Sequence, residues 1–360
     1  MPHLVVYISA HGFGHVAQTG PVLECLRELV PELELTVVSA VPKFQLQQRI
    51  VGPFRLIPRA ADLGFVMEDA FCIDLAASGQ AYRDCHADWE ARLLAEAAFL
   101  LGLGADAVLS NAAYLPLAAA RHLGLPAWGM SSLNWADLFL AAFAGESWAA
   151  PIHAQMLAAY RSADRFFRLQ PAMTMADLGQ SSETAPVARL GRRQDEALRQ
   201  LLGLAPGTRL VLVALGGIAT LLPVAGWPPL PGVHWLVPQA FGAARADMSA
   251  FEPLGWDFTD LLASVDAVVG KPGYGTFVEA ACNGTPMVYA RRPGWPEQEA
   301  LIPWLHAHGR ALEVSEASLR QGELAAALEA LWAQPQAPLP QAGGAREVAA
   351  ALALGLTPGR

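Results

Sequence analysis

The chain has 360 residues, of which 53% are hydrophobic and 16% charged, and its net charge is −9. One hydrophobic core rarely serves so long a chain, so two domains are expected. The acidic balance excludes a general nucleic-acid surface, which needs clustered positive charge. No apolar run approaches the roughly 18 uncharged residues of a membrane helix. The apolar start has neither a basic flank nor a small-residue cleavage site, so a cytoplasmic protein with no transmembrane segment is expected.

LVVYIS (4–9), LELTVVSA (33–40), FRLIPR (54–59), DAVLSN (106–111) and PAWGMS (126–131) are short apolar runs ending in turn residues. They alternate with helical spacings such as GPVLECLRELV (20–30) and YLPLAAARHLG (114–124). Strands buried on both faces read as continuous apolar runs, so residues 1–172 are expected to form an α/β, doubly wound parallel-sheet domain. TMADLGQSSETAP (174–186) reads as a polar linker. A second series, RLVLVALGG (209–217), GVHWLVP (232–238), DAVVG (266–270) and TPMVYA (285–290), predicts a similar domain over residues 186–335. QPQAPLPQAGG (334–344) reads as an extended loop, followed by a final helix within residues 345–360.

Ligands of doubly wound sheets bind beyond the carboxyl ends of the strands, where glycines let the backbone approach and helix amino termini attract anions. HGFGH (11–15) lies at such an end. Gly12 and Gly14 permit a tight turn, and His11 and His15 can face the crevice as proton acceptors; a purely structural turn with packed histidines is the alternative. An H-x-x-x-H zinc pair needs a helix that these glycines disfavour. The four cysteines, Cys25, Cys72, Cys85 and Cys282, form no C-x-x-C pair, so reduced thiols and no metal site are expected.

Two more glycine turns follow strands, in LVALGGIAT (212–220) and VVGKPGYGTFVEAA (268–281). In the latter, Gly273, Gly275 and Thr276 can offer N–H groups and a hydroxyl to a phosphate. Glu279, about one helical turn on, can accept two ribose hydroxyls. The same spacing fits a capping box, with Thr276 as cap and Glu279 three residues later. GKPGYGT lacks the order of a Walker P-loop, and the sequence has no D-x-D pair to hold a divalent metal. Diphosphate charge would then fall to helix dipoles and to Lys271, one of only two lysines.

These motifs in their order resemble the GT-B glycosyltransferases that use nucleotide-diphosphate sugars. HGFGH, the segment 110–139 (SNAAYLPLAAARHLGLPAWGMSSLNWADLF), FFRLQP (166–171), GKPGYGT and ARRPGWPEQ (290–298) resemble more closely the glycosyltransferase-like amino-terminal module of L-arabinokinase. The kinase module of that family has no counterpart in the sequence, so kinase activity is not expected. The resemblance implies two Rossmann-like domains facing an interdomain cleft. It implies that Gly275, Thr276 and Glu279 bind phosphate and ribose, that Gly216 and Gly217 face the diphosphate, and that His15 is the catalytic histidine. Glu297 and Gln298 match the acidic-Gln pair that holds donor-sugar hydroxyls, with Glu in place of the more usual Asp. His11, Gly12, Gly14, Asn111, Asn134, Trp135 and Asp137 are the acceptor-side candidates, and Trp89 a further one.

The expected function is metal-independent transfer of a hexosyl or pentosyl group from a nucleotide-diphosphate sugar, the substrate, to an acceptor, with no cofactor. Two alternatives stand beside it. One is a non-catalytic sugar-nucleotide-binding module. The other is a nucleotide-sugar epimerase, which needs an acidic group on each side of the sugar ring where the HGFGH region supplies none.

Overall fold

A computed structural model of the chain describes residues 1–242 and 245–356. The first sheet contains β1 (His3–Ile8), β2 (Glu34–Val38), β3 (Arg55–Ile57), β4 (Ala107–Asn111), β5 (Ala127–Ser131), β6 (Arg165–Leu169) and β7 (Ser181–Thr184). All pair in parallel, in the order β3-β2-β1-β4-β5-β6-β7. The second sheet contains β8 (Arg209–Ala214), β9 (Val233–Val237), β10 (Met248–Ala250), β11 (Ala267–Gly270), β12 (Met287–Ala290) and β13 (Ala311–Val314). It too is parallel, in the order β10-β9-β8-β11-β12-β13. Each order reverses beside the sheet's first strand, between β1 and β4 and between β8 and β11. Two Rossmann-like domains therefore present two switch points, each a ligand position.

The strands with continuous apolar runs are buried along their length, as β1, β4 and β5 are throughout. The stretch read as a linker differs: Ser181–Thr184 adds β7 to the first sheet, beyond residue 172. Its polar side chains are tolerated because it is an edge strand, half exposed, whose stability comes from the ladder with β6. The last described helix, Gly344–Leu356, lies against the first helix, Phe13–Leu29, and so belongs to the first domain. Residues 357–360 of the expected terminal segment lie outside the described residues.

The domains also exchange side chains. Ala70 and Phe71, from the loop after β3, are buried in the core of the second sheet with Val213, Trp235 and Val269. Trp295, from the loop after β12, is buried in the core of the first with Tyr7, Tyr82 and Trp135. Asp69 pairs with Arg320 at 2.5 Å, and the Arg292 Nε donates to the Ala70 carbonyl at 2.9 Å. Among the described residues no helix is long and apolar enough to cross a membrane.

Candidate functional site

A cavity of about 490 Å³ opens between the domains at the two switch points, within the range typical of small-molecule sites. The turns after β1, β8 and β11 all reach it. Gly12 to Gln18 line it from the first domain, and Leu215 to Ile218 with Gly273 to Thr276 from the second.

Helix Phe13–Leu29 has Gly12 as its N-cap and helix Tyr274–Asn283 has Gly273, and neither cap is satisfied by a side chain. Both helices thus bring uncapped first-turn N–H groups and positive dipole ends to one space. Their approach depends on glycine: a β-carbon on Gly275 would stand 3.2 Å from the Ala17 Cβ and 3.5 Å from the Gly14 Cα. Gly216, with φ +82°, takes a left-handed conformation that suits glycine. The Lys271 ammonium lies between the turns, 3.8 and 3.4 Å from where β-carbons on Gly216 and Gly273 would be. It is buried and has no hydrogen-bond or ion-pair partner among the described residues. Desolvation holds its pKa well below the usual lysine value, and Arg292 lowers it further while Glu297 opposes.

Helix Tyr274–Asn283 begins before Thr276, so Thr276 is not a cap and the capping-box alternative fails. Glu279 instead meets a residue from the other domain: Arg49 donates to both carboxylate oxygens, at 2.5 and 3.1 Å, where both residues line the cavity. A carboxylate has about four acceptor positions, so ribose hydroxyls can still be accepted beside the guanidinium. Phe251, Trp256 and Phe258, with Pro238, add an aromatic wall to the lining.

At the other end, Glu297 lines the cavity and is fixed from both sides, accepting from the Ser132 hydroxyl at 2.6 Å and the Trp295 indole at 3.0 Å. Gln298 does not join it: its amide closes the 292–298 loop through two bonds to the Arg292 backbone, at 2.9 and 2.7 Å. Arg292 stacks on Trp295 at 3.9 Å, and its Nη2 is buried without a partner. Burial pulls its pKa down to about 10, against the attraction of Glu297.

The two histidines sit in different surroundings. His15, in the first helical turn, lines the cavity and places Nδ1 2.8 Å from the Asn111 Oδ1. His11 also borders the cavity, but it stacks on Trp295 at 5.2 Å and its Nε2 lies 3.1 Å from the Phe65 carbonyl. Burial first, then Arg292, His15 and Lys271, depress its pKa to about 3, so it is a neutral brace.

Of the other acceptor-side candidates, Gly12 and Gly14 line the cavity and the rest do not. Asn111 holds His15; Asn134 caps helix Trp135–Phe143 by accepting from the Asp137 N–H at 2.8 Å. Trp135 is buried and donates to Asp62 at 2.6 Å. Trp89 stacks on His86 at 5.1 Å. None of Asn111, Asn134, Trp135, Asp137 and Trp89 is among the cavity-lining residues. Sequence reasoning missed Arg49, Ser132, Arg292 and Trp295 on the cavity wall, and it missed Asp62. The Asp62 carboxyl accepts from Ser9 at 2.9 Å and from Trp135, and burial raises its pKa while nearby His15 lowers it. The HGFGH region therefore does have a carboxylate, but behind the wall and not facing the cavity.

No protein-family model matches the chain. It is 27% identical to L-arabinokinase from Arabidopsis thaliana over 344 residues, 91% of this chain and 32% of that protein, so it spans about a third of its relative's length. Among solved structures it is similar to the glycotransferase of kitacinnamycin, with a TM-score of 0.60 and 18% identity, covering 99% of this chain and 95% of that one. It is also similar to a UDP-N-acetylglucosamine 2-epimerase, with a TM-score of 0.55 and 15% identity, covering 96% and 94%. Such identities speak for the fold alone. Two facing Rossmann-like domains with a shared cleft give the chain the GT-B fold, and over 91% of its length it is similar in sequence to about a third of L-arabinokinase.

Proposed function

We propose that the protein moves a neutral hexosyl or pentosyl group from a nucleotide-diphosphate sugar to an acceptor hydroxyl, without a metal ion. The observation that carries this reading is the meeting of two uncapped helix amino termini around a buried, unpartnered Lys271. Lys271 and Arg292, less Glu297, with two helix ends worth roughly half a charge each, come to about two positive charges. That matches the diphosphate of a neutral sugar donor, and the balance needs neither a divalent cation nor an acidic sugar. The Arg49–Glu279 pair is internally neutral.

In this reading the aromatic wall takes the base, Glu279 the ribose, and the glycine turns with Lys271 the diphosphate. Glu297 uses its remaining lone pairs on the sugar hydroxyls. His15 takes the acceptor's proton through Nε2 as the glycosidic bond to the diphosphate breaks, and the leaving diphosphate is stabilised by the fixed dipoles and Lys271.

The test is incubation with a panel of nucleotide sugars and acceptors, with and without EDTA. Release of nucleoside diphosphate with glycosyl transfer, unaffected by chelation, is the expected result. A strict need for magnesium or manganese overturns the diphosphate assignment. An isomerised sugar identifies an epimerase, and binding without turnover a sugar-nucleotide-binding module.

A further inference from the structure

A continuous chain of buried hydrogen bonds joins His15 in the first domain to Glu297 in the second. The His15 Nδ1 meets the Asn111 Oδ1 at 2.8 Å, and the Asn111 amide donates to the Gln18 Oε1 at 3.0 Å. The Gln18 amide donates to the Ser132 hydroxyl at 2.8 Å, and that hydroxyl donates to Glu297 at 2.6 Å. Every member is buried. The direction of the chain is set at its far end, because an ionised carboxylate only accepts. Ser132 must therefore give its one proton to Glu297 and accept from Gln18. Gln18 then turns its carbonyl to Asn111, and Asn111 turns its carbonyl to His15. The last link requires a proton on Nδ1 and leaves Nε2, which has no partner among the described residues, as the acceptor.

We propose that Gln18 and Ser132 are positioning residues that carry the orienting influence of the Glu297 charge across the domain boundary, holding His15 in the Nδ1–H tautomer. This rests on His15 being the base of the proposed transfer. A hydrogen bond at one ring nitrogen decides which nitrogen keeps the proton, and in a Ser-His-Asp triad the wrong tautomer lowers turnover by about 10⁴-fold. Asn111 is also steadied locally, through its bonds to Thr19 at 3.0 Å and the His15 carbonyl at 3.2 Å. The contribution of the relay is the part that this local support does not supply.

The test reads the imidazole ¹⁵N shifts of His15 in the full-length protein, without substrate, at a pH where the ring is neutral. The native protein is expected to show the Nδ1–H tautomer alone. Gln18→Met, close in volume but unable to pass the bond on, and Ser132→Ala are each expected to make the Nε2–H tautomer detectable, with Ser132→Thr restoring the native pattern. Once a donor and acceptor are known, Gln18→Met should lower kcat by about 10-fold or more, within the range of positioned acid-base groups, with donor KM little changed. An Nε2–H tautomer in the native protein overturns the proposal. So does an Nδ1–H tautomer untouched by both breaking substitutions, which would show that Asn111 suffices. Because the spectra need no turnover, they judge the relay even if the transferase reading fails, and the donor panel judges that reading without them.

Discussion

Replacing Glu279 with glutamine separates two roles of one carboxylate. The Glu279 side chain is 2% exposed and the Arg49 side chain 14%, so the substitution leaves a largely buried guanidinium unpaired. Breaking a buried pair costs about 3–5 kcal/mol. The residual exposure of Arg49 and the nearby Asp257 charge place the expected loss of unliganded stability near the lower figure, about 3 kcal/mol. A hydrogen bond from ribose to a charged acceptor is worth about 1.5–3 kcal/mol, so nucleoside diphosphate affinity should fall roughly 10- to 150-fold. Urea unfolding without ligand and titration calorimetry with a nucleoside diphosphate measure the two effects. A 2′,3′-dideoxy nucleotide is the control and should bind native and Glu279→Gln proteins almost equally. Lost stability with unchanged nucleotide affinity would make the pair purely structural and remove Glu279 from the ribose site. Unchanged stability would refute the claim that the ion pair is buried and intact in solution.

Two further outcomes are expected. Lys271→Met should stabilise the unliganded protein yet weaken diphosphate binding roughly 10- to 150-fold, because Lys271 is a buried amine without a hydrogen-bond partner among the described residues, its desolvation opposed only in part by the Glu297 charge. Its folded pKa lies below the unfolded value, so the native protein should gain stability as pH rises from the folded pKa toward 10.5, and Lys271→Met should lose that gain in urea titrations across the alkaline range; a destabilised variant refutes the reasoning. His11 has a folded pKa of about 3 against 6.5 unfolded, so the unfolded chain takes up the proton first and stability should fall as pH drops from about 6.5 toward 3. His11→Gln should flatten that slope by about one proton, and an unchanged slope would show that His11 is not the buried neutral ring described.

The sheets were legible because parallel strands buried on both faces leave short, β-branched apolar runs bounded by turn residues, as in LVVYIS and RLVLVA. Ser181–Thr184 left none, since an edge strand can be held by its ladder with polar side chains. At the site, the residues readable in advance were those tied to glycine turns: His15, Gly216, Gly275 and Glu279 occupy the cavity that their turns predict. Arg49, Ser132 and Arg292 were illegible for a different reason. Arg49 reaches across 230 positions to Glu279, Ser132 across 165 to Glu297 and Arg292 across 222 to the Ala70 carbonyl, and local spacing holds no trace of that. The abundance of arginine, against two lysines, also hid the two arginines that matter. Trp135 and Asn134 looked like sugar contacts by residue type, but the fold spends them on a buried indole bond to Asp62 and on a helix cap.

The exchange of Phe71 for Trp295 between the two cores bears on how such a chain can be recombined. The simplest recombination joins one domain of this chain to the other domain of a relative. Here a cut near the domain boundary would strand each half with a hole where its neighbour's aromatic ring belongs, and removing a buried Phe or Trp side chain costs about 3–5 kcal/mol per site. A workable hybrid must therefore carry the 67–73 segment with the carboxy-terminal partner it fits, and the 291–297 loop with the amino-terminal one. The units of inheritance in this molecule are matched pairs of loop and core, not the two domains that the sheets outline.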